Sequence, residues 1–380
     1  MSNVSDNKKT ILSLSWRDIR SSKSGGAEVH THEMLRRLDK TKYRVIHFAP
    51  YEDGLEKREI IDGVLYIRRG NIISVIYKAW RYYLRNSDKI DIVIDQCNTH
   101  RFFTPFWVNK KKRIFYIHQL TREIWDINAK FPFNLIGKWS ENFLLRLNRH
   151  DDVITVSEDT QRELHSLGFD GNFCIVHNGV SFKPWDKSEW LSKEDCPTFI
   201  YVGRYSAYKG INVAIEALGK LKKNYFDAKL WILGKKDEAF IEKELMTVCR
   251  KYNLKWDEDI IAYGFVSEEE KLELLSRAHA LVFLSIREGW GIPVTEAGCV
   301  GTPCIAFNSP GIAEAVNYGE AGYLCETNTS DEVYRQMVRV IENKEEYANI
   351  QDKAYSFSSK FQWEKSGKVF ELFIDGKLNG

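Results

Sequence analysis

Long apolar runs are missing from this 380-residue sequence. No stretch approaches the ~20 consecutive apolar residues that a membrane-spanning helix needs. The first apolar run after a polar start covers only Ile11 to Leu14, which is too short for the core of a signal peptide. We therefore expect a cytoplasmic protein and exclude the membrane-spanning and secreted classes.

Paired cysteines are also missing. The seven cysteines are scattered, their number is odd, and no two of them form a Cys-X-X-Cys pair. This usage is typical of reduced thiols in a cytosolic protein and indicates neither a disulfide framework nor a zinc site.

The sequence has little net charge, only +2, but the charge is unevenly distributed. Residues 1–180 hold 29 basic and 22 acidic side chains (+7), and residues 181–380 hold 26 and 31 (−5). Between Arg68 and Arg149 there are 16 basic and 6 acidic residues, including the run Lys110 to Arg113. This excess favours an anionic acceptor or an anionic surface that carries one, although a solvated face without a partner is the alternative.

Short β-branched runs alternate with helical patterns along the chain, which is typical of βαβ units and mainly parallel sheets. A polar segment at 181–197 with two prolines separates two such series, so we predict an α/β protein of two Rossmann-like, doubly wound domains. Helices are predicted at 210–221, after Ser267 and at 363–378. The predicted strands are 11–15, 44–49, 64–69, 91–95, 113–118, 153–157, 174–177, 198–203, 229–234, 260–266, 280–285 and 303–307.

The segment 72–85 has a basic amphipathic pattern. A broad apolar face is predicted, while Lys78, Arg81 and Arg85 stay polar. Such a helix can lie on a membrane surface, or it can pack on the sheet with its cations in water. The predicted apolar face consists of Ile72, Ile73, Ile76, Trp80, Tyr83 and Leu84.

The strongest motif is SIREGWGIPVTEAG at 285–298, which follows the predicted strand 280–285. Its glycines allow close approach of a ligand, and Pro293 suits the first turn of a helix whose N-terminus attracts phosphate. Glu288 and Glu296 can accept hydrogen bonds from vicinal hydroxyls of a sugar and a ribose. The alternative is a strand, a loop and a helix with two solvated glutamates.

Two further loops carry candidate anion sites. In YVGRYSAYKG at 201–210, Arg204 and Lys209 bracket a loop between a strand and a helix, an arrangement that suits a diphosphate. Gly25 and Gly26 precede a helix after the first strand, but the Gly-X-Gly-X-X-Gly spacing of dinucleotide sites is missing. A solvated basic loop and a simple turn are the respective alternatives.

These motifs together resemble family-4 retaining glycosyltransferases of GT-B architecture. The resemblance rests on Gly-Gly-Ala at 25–27, TVSE at 155–158, HNGV at 177–180, GRYSAYKG, GFV at 264–266 and the two-glutamate motif, in this order. It implies two domains facing each other across a cleft. The N-terminal domain, 1–182 joined by a C-terminal helix at about 361–380, would bind the acceptor, and 183–360 would bind the nucleotide-sugar donor.

The resemblance also implies roles for individual residues. Arg204, Lys209 and Gly26 would bind the donor diphosphate, and Glu296 the ribose. Glu288 and His118 would act at the reacting sugar, with Gly289, Trp290 and Gly291 lining the sugar site and Gly264, Phe265 and Val266 the base site. Ser181 and Trp290 depart from the family pattern, and Trp290 leaves the donor sugar open.

The chemistry implied is hexosyl transfer with retention, from a GDP- or UDP-sugar to a glycan or lipid-linked acceptor, in cell-surface polysaccharide synthesis. Because cationic side chains and a helix N-terminus face the departing diphosphate, we expect no metal and no cofactor. Front-face attack is favoured over a covalent intermediate on Glu288. We expect no nucleic-acid partner and a cytoplasmic protein that contacts the inner membrane face.

Three alternatives remain open from the sequence. Asp257 and Asp259 spell the Asp-X-Asp of metal-dependent transferases, although a solvated turn is favoured. A nucleotide-sugar epimerase on the same plan would leave the ordered cations and glutamates without a purpose. A non-catalytic sugar-nucleotide-binding protein would retain them but show no turnover.

Overall fold

The structure, a computed structural model, describes residues 8–97 and 100–380, with Asn128 described by its backbone only. The first seven residues, part of the predicted domain 1–182, lie outside the described residues. Contacts divide the chain into two compact units. Unit 1 comprises Met1–Arg122, Phe131–Asn178 and Trp363–Gly380, and unit 2 comprises Glu123–Lys130 and Gly179–Gln362.

Fourteen strands and fourteen α-helices are present in the described ranges. The strands are β1 (Lys9–Leu14), β2 (Tyr43–Ala49), β3 (Arg58–Ile61), β4 (Val64–Arg68), β5 (Ile92–Cys97), β6 (Arg113–Ile117), β7 (Asp152–Thr155), β8 (Phe173–Ile175), β9 (Thr198–Val202), β10 (Lys229–Leu233), β11 (Ile260–Gly264), β12 (Ala280–Phe283), β13 (Cys304–Ala306) and β14 (Tyr323–Leu324). The helices are α1 (Gly26–Arg37), α2 (Ser74–Leu84), α3 (Ile124–Asn128), α4 (Phe133–Leu145), α5 (Glu158–Ser166), α6 (Ile211–Leu221), α7 (Glu238–Phe240), α8 (Met246–Tyr252), α9 (Glu268–Arg277), α10 (Ile292–Cys299), α11 (Ile312–Ala315), α12 (Ser330–Glu342), α13 (Lys344–Ser358) and α14 (Trp363–Asn379).

Unit 1 is built on an eight-stranded sheet in the order β3-β4-β2-β1-β5-β6-β7-β8. Every neighbouring pair is parallel except β3 with β4. The central strands are apolar on both faces because helices cover both. The last helix, α14, packs on α1 and buries Trp363, Phe370 and Ile374.

Unit 2 is built on a six-stranded parallel sheet in the order β11-β10-β9-β12-β13-β14. The strand of this unit that comes first in the sequence, β9, lies near the centre of the sheet, and the strand order reverses between β9 and β12. The predicted fold class, two doubly wound α/β units, is confirmed. Each of the twelve predicted strands exists, whereas β3 and β14 were not predicted.

The segment 181–197, predicted as a linker, packs firmly against unit 2. The ammonium group of Lys193 donates to the carbonyls of Ser276 and Ala278 and to the Thr302 hydroxyl, at 2.7–2.9 Å. Trp185 N donates to Cys299 O at 3.0 Å. The segment is thus part of the second unit and not a flexible connection.

Most of the apolar face predicted for the segment 72–85 is not the face that packs on the sheet. Helix α2 packs through Val75, Ala79 and Tyr83, whereas Ile73 and Trp80 are exposed. The reason is helical geometry, since residues four apart in sequence share one narrow face against the sheet. Much of the apolar surface of α2 is therefore left in water. Across the described ranges, no helix combines the length and apolar character needed to cross a bilayer.

Candidate functional site

The candidate donor site lies at the carboxyl edge of the unit 2 sheet. All strands of this sheet run parallel, so their carboxyl ends share one edge. The strand order reverses between β9 and β12, and open α/β sheets bind ligands outside the carboxyl ends at this topological switch point. The two strongest sequence motifs follow these two strands.

The loop after β9 carries the predicted diphosphate cations. Arg204 is exposed, and its carbonyl accepts a hydrogen bond from the buried Tyr201 hydroxyl at 2.8 Å. A 3-10 turn, Ala207–Lys209, leads to Gly210 at φ +72°. A side chain at Gly210 would place Cβ 2.3 Å from the carbonyl oxygen of Leu284. Glycine is therefore required where the loops after β9 and β12 cross.

Lys209 and Glu288 form an ion pair, which joins the two motifs directly. Both side chains are mostly buried, at 16% and 14% exposure. Burial alone would lower the pKa of Lys209, but the Glu288 carboxylate raises it above its ordinary value. The ammonium group also lies 5.2 Å from the Tyr208 ring centre and 5.9 Å from that of Phe283. Lys209 is thus held as a cation at the switch point.

The loop from Glu288 to Gly291 is shaped by close backbone contacts. Gly311, at φ +74°, lies so near that a Cβ there would be 2.2 Å from the Glu288 carbonyl oxygen and 2.8 Å from that of Gly289. Gly291 precedes α10 as its N-cap, and Pro293 lies in the first turn. The amino terminus of α10 therefore borders the loop that holds Glu288 and offers a positive dipole there.

Trp290 lies away from the surface of this loop. Its ring is buried, donates from Nε1 to Thr295 Oγ1 at 3.0 Å and packs edge-on against Phe361 at 4.8 Å. The tryptophan that departs from the family pattern is therefore accommodated in the interior. Trp290 therefore contributes only its backbone, which lies between Gly289 and Gly291, to the loop.

Glu296 is paired with a lysine that the sequence did not single out. Lys271 on α9 donates to Glu296 Oε1 at 2.9 Å, and Glu296 as a whole is 8% exposed. Burial raises the pKa of Glu296, and the Lys271 ammonium opposes that rise. The two residues are 25 positions apart on different helices, so only the fold reveals the pair. Lys271 thus favours the anionic form of Glu296, which accepts hydrogen bonds from hydroxyls.

The segment Gly264, Phe265 and Val266 follows β11 at the same edge. Gly264 has φ +76°, and its carbonyl accepts from Gly234 N at 2.8 Å, linking the ends of β11 and β10. Phe265 is 91% exposed. An exposed ring beside a strand end suits stacking on a nucleobase.

Arg287 ties a remote segment to the same loop. Its guanidinium is buried and donates to Glu123 Oε2 at 2.6 Å. Glu123 precedes α3 in the segment Glu123–Lys130, which is assigned to unit 2 although it lies between β6 and α4 in sequence. No sequence signal indicated this pairing.

In unit 1, His118 directly follows β6 and is stacked on Tyr116 at 4.9 Å, with the His30 ring edge-on at 5.2 Å. Its buried Nε2 has no hydrogen-bond partner among the described residues. Burial lowers the pKa of His118 to about 4. The ring is therefore neutral at pH 7, and its Nε2 can donate to or accept from a ligand hydroxyl, depending on the tautomer.

Gly26 is the first residue of α1, as predicted for a glycine at a helix start. The amide of the preceding Gly25 donates to the Glu28 carboxylate at 2.8 Å. This carboxylate already occupies part of the helix terminus where an anion would bind. Gly26 belongs to unit 1.

The Asp-X-Asp segment lies at the opposite edge of the unit 2 sheet, before β11. Asp259 pairs with Lys222 at 2.8 Å, and Glu258 pairs with Lys255 at 2.9 Å. These pairs explain the acidic residues as parts of a charged turn. Over the described residues, no group of three or more His, Cys, Asp or Glu side chains could hold a metal ion.

Two family descriptions match successive parts of the chain. "Glycosyltransferase Family 4" matches residues 24–183, and "Glycosyl transferases group 1" matches residues 183–357. An uncharacterized glycosyltransferase of Methanocaldococcus jannaschii is 25% identical over 362 residues, covering 92% of this chain and 95% of its own.

Solved structures share the fold over nearly the whole chain. Sucrose-phosphate synthase from Thermosynechococcus elongatus superimposes with a TM-score of 0.76 at 15% identity, covering 97% of this chain and 99% of its own. HepE of Anabaena, in complex with UDP-glucose, superimposes with a TM-score of 0.69 at 16% identity, covering the same shares.

Proposed function

We propose a substrate class and mechanism for this chain, which belongs to the family-4 glycosyltransferases with the GT-B fold. The proposed reaction is retaining transfer of a hexosyl group from a UDP- or GDP-sugar to a glycan or lipid-linked acceptor in cell-surface polysaccharide synthesis. The observation that carries it is the Lys209–Glu288 pair at the switch point of unit 2. The UDP-glucose complex of HepE supports the donor class.

The pair suits the charge changes of this reaction. As the bond from the anomeric carbon to the phosphate oxygen breaks, the leaving diphosphate gains negative charge and the sugar gains positive charge. Lys209, Arg204 and the amino terminus of α10 stabilise the diphosphate, while Glu288 lies on the side of the sugar. Glu296, whose anionic form Lys271 favours, binds the ribose hydroxyls in this proposal.

Retention follows in our proposal from attack on the face that the diphosphate leaves. The acceptor oxygen forms the new bond to the anomeric carbon, and the departing phosphate oxygen takes the acceptor proton. Since Lys209 already neutralises Glu288, this carboxylate is a weaker nucleophile than a free one, which favours front-face attack over a covalent intermediate. His118, neutral at pH 7, is proposed to bond a hydroxyl of the reacting sugar.

The cations that serve the diphosphate make a metal unnecessary in this proposal. The expected result is full turnover in excess EDTA. Loss of turnover that Mn²⁺ or Mg²⁺ restores would contradict it.

The activity is tested with a panel of UDP- and GDP-sugars. Slow release of nucleoside diphosphate without acceptor, together with a raised Tm, identifies the donor. NMR of the product then gives the anomeric configuration. Binding without any release or transfer would favour the non-catalytic alternative, and interconversion of the sugar nucleotide would favour an epimerase.

Unit 1 also exposes aromatic surface that supports the proposed membrane contact. Helix α2 leaves Trp80 exposed beside Lys78 and Arg81. Around α4 the exposed apolar residues are Phe131, Phe133, Leu135, Ile136, Trp139 and Phe143. Aromatic rings beside basic residues suit the interface of an anionic bilayer.

The basic run 110–113 contributes less to such a surface than the sequence suggested. Arg113 is buried and bonds Asp151 at 2.6 Å, and Lys112 donates to the carbonyls of Ser87 and Ile90. Only Lys110 and Lys111 are exposed cations of this run.

Vesicle sedimentation tests the membrane contact. The wild type should sediment with phosphatidylglycerol vesicles at low salt and less at 1 M salt, where the Debye length is about 3 Å. The double variant Trp80→Ser, Trp139→Ser should lose this binding, and Phe226→Ser, which removes an exposed ring of unit 2, should keep it. Equal sedimentation of all three proteins, or none, would overturn the membrane proposal.

A further inference from the structure

Unit 1 has its own topological switch point, at the carboxyl ends of β1 and β5. The strand order reverses there, since β2 and β4 lie on one side of β1 and β5 to β8 on the other. Leu14 is level with Asp95, and Cys97 is level with Ile117 of β6. The residues that directly follow these three strands therefore emerge at one edge, where such sheets bind ligands.

Arg101 lies at this edge and is 5% exposed. Within the described part of the chain, its Nε and Nη1 atoms have no hydrogen-bond partner. A buried guanidinium whose N–H groups lack acceptors destabilises the folded state. A charged group that is removed from water needs both a counter-charge and hydrogen bonds to compensate for its lost hydration. Such a group calls for a partner beyond the residues that the structure describes.

Asp95 provides a counter-charge but no hydrogen bond. Its carboxylate accepts from Phe102 N and Thr104 N at 3.2 Å each and from Thr104 Oγ1 at 2.6 Å. These bonds fix the loop that carries Arg101, and the two charges interact without direct pairing. The guanidinium is therefore held in place while its donors stay available.

Polar groups of the neighbouring strand ends complete the edge. After β1, the buried Nε1 of Trp16 has no partner in the described ranges, and after β6 the same holds for Oε1 of Gln119. The Trp16 ring stacks on His100, the neighbour of Arg101, at 6.3 Å. An indole N–H can only donate and an amide oxygen can only accept, so together they suit a hydroxylated ligand beside the guanidinium.

We propose that Arg101 binds an oxyanion of the acceptor, a carboxylate or a phosphate, so that the acceptor of this enzyme is an acid. The inference rests on the proposed function, because only a transferase has an acceptor. A guanidinium recognises such a group with two parallel hydrogen bonds, whereas an ammonium acts as a point charge. The proposal therefore names a chemical group, an oxyanion, that the excess of basic residues in unit 1 would attract.

The test uses inorganic phosphate and malonate as separate oxyanion probes, against chloride at equal ionic strength. Wild type and the control Arg85→Gln, which alters an exposed arginine of unit 1, should show a higher Tm in at least one probe. Arg101→Gln should lose this shift. The probe that works distinguishes a phosphate from a carboxylate acceptor.

Arg101→Lys keeps the charge if the glutamine variant fails to fold. Its apparent Kd for the active probe should be at least about fivefold weaker than that of the wild type, since the bidentate geometry is lost. Equal shifts in all variants, no shift in any, or a shift lost only in Arg204→Gln would overturn the proposal. The last outcome would place the oxyanion at the donor site.

Sugar-nucleotide binding and hydrolysis, measured in the same proteins, separate this inference from the proposed function. Arg101→Gln should keep donor binding and slow hydrolysis while acceptor-dependent transfer falls. A wild type that neither binds nor hydrolyses any sugar nucleotide would refute the proposed function. The comparison of Tm shifts between the wild type and Arg101→Gln would still show whether Arg101 binds an oxyanion.

Discussion

At the scale of single residues, the ion pair of Lys209 and Glu288 links the motif 201–210 to the motif 285–298. Sequence motifs placed both residues near a ligand but assigned them to different ligand groups. The structure shows that each balances the charge of the other before any donor arrives. In the proposed complex, the phosphate oxygens of the donor join Glu288 as acceptors of the Lys209 ammonium, which has three N–H donors, so neither buried charge is left bare.

Lys209→Ala should lower donor kcat/KM about 10- to 100-fold, because a charge-assisted hydrogen bond contributes about 1.5–3 kcal/mol. Steady-state release of nucleoside diphosphate measures it. Lys223→Ala, at an exposed lysine of the same unit, is the matched control. If both variants match the wild type, Lys209 does not bind the diphosphate.

Lys271→Met should weaken binding of the nucleoside diphosphate product and make it depend on pH. Without the ammonium, burial raises the pKa of Glu296 unopposed, so its carboxyl is more often protonated at neutral pH and loses acceptor capacity. Affinity in the variant should therefore rise with pH, in contrast to the wild type. Calorimetric titration at several pH values measures this, with Lys243→Met as the exposed control.

Motif spacing singled out Arg204, Lys209, Glu288 and Glu296 because each motif occupies a short stretch of sequence. It did not predict Lys271 or Glu123, since their partners are distant in sequence and meet only through the order of the strands. The interior position of Trp290 also required the fold, because its partner Phe361 belongs to a distant loop.

At the scale of elements, the strands were predictable and their ends were not. Most predicted strands run one or two residues too long at the carboxyl edge, as at Gly203, Gly234 and Ser285, where the chain leaves the sheet. The exceptions are β2, whose end was predicted correctly, and β5, which extends two residues further than predicted. Gly203, Gly234 and Ser285 are apolar or small enough to continue a strand pattern. Strand β14 was not predicted because only two residues pair.

Gly311→Ala should test how tightly the loop of Glu288 is held. The φ of +74° and the 2.2 Å approach to the Glu288 carbonyl oxygen leave no room for a Cβ. We expect a loss of about 1–3 kcal/mol in the free energy of unfolding together with lower kcat, measured by urea unfolding and turnover.

Gly376→Ala is the matched control for that variant. It lies inside α14 with nothing within 4 Å of an added Cβ, so alanine there should stabilise by about 0.5–1 kcal/mol. Equal effects of the two substitutions would contradict the close fit at Gly311.

At the scale of the whole molecule, buried histidines should make the protein sensitive to acid. Burial lowers the pKa of His30, His47, His100, His118, His177 and His279, to about 4 for His47 and His118. A lowered folded-state pKa means that protonation favours unfolding. The stability these groups contribute is complete above about pH 6.5 and is lost as pH falls toward 4.

The free energy of unfolding should therefore fall steeply between pH 6.5 and 4. His118→Gln should reduce that slope by up to about 1.4 kcal/mol per pH unit, the share of one titrating group. Urea unfolding at pH 7, 6 and 5 measures it, with His150→Gln at an exposed position as control. A variant slope equal to that of the wild type would contradict burial as the cause.

The composition and the alternation of strand and helix patterns predicted two doubly wound units. They did not predict how the chain is divided between these units. The segment Glu123–Lys130 joins unit 2 from within the sequence of unit 1. The segment contacts Arg287 and the turn Ala207–Lys209, and contacts between parts of the chain so distant in sequence leave no local signal.

The position of α14 has a consequence for how the protein is made. Unit 1 buries Trp363 and Phe370 of this helix against the first part of the chain, so the unit translated first is completed last. Unit 2 is nearly continuous and can close as soon as residue 362 has left the ribosome. Unit 1 therefore cannot be completed before unit 2 has been synthesised, in contrast to the usual order in which the N-terminal domain folds first. Until the last helix arrives, the growing chain carries an uncovered apolar face that a chaperone could bind.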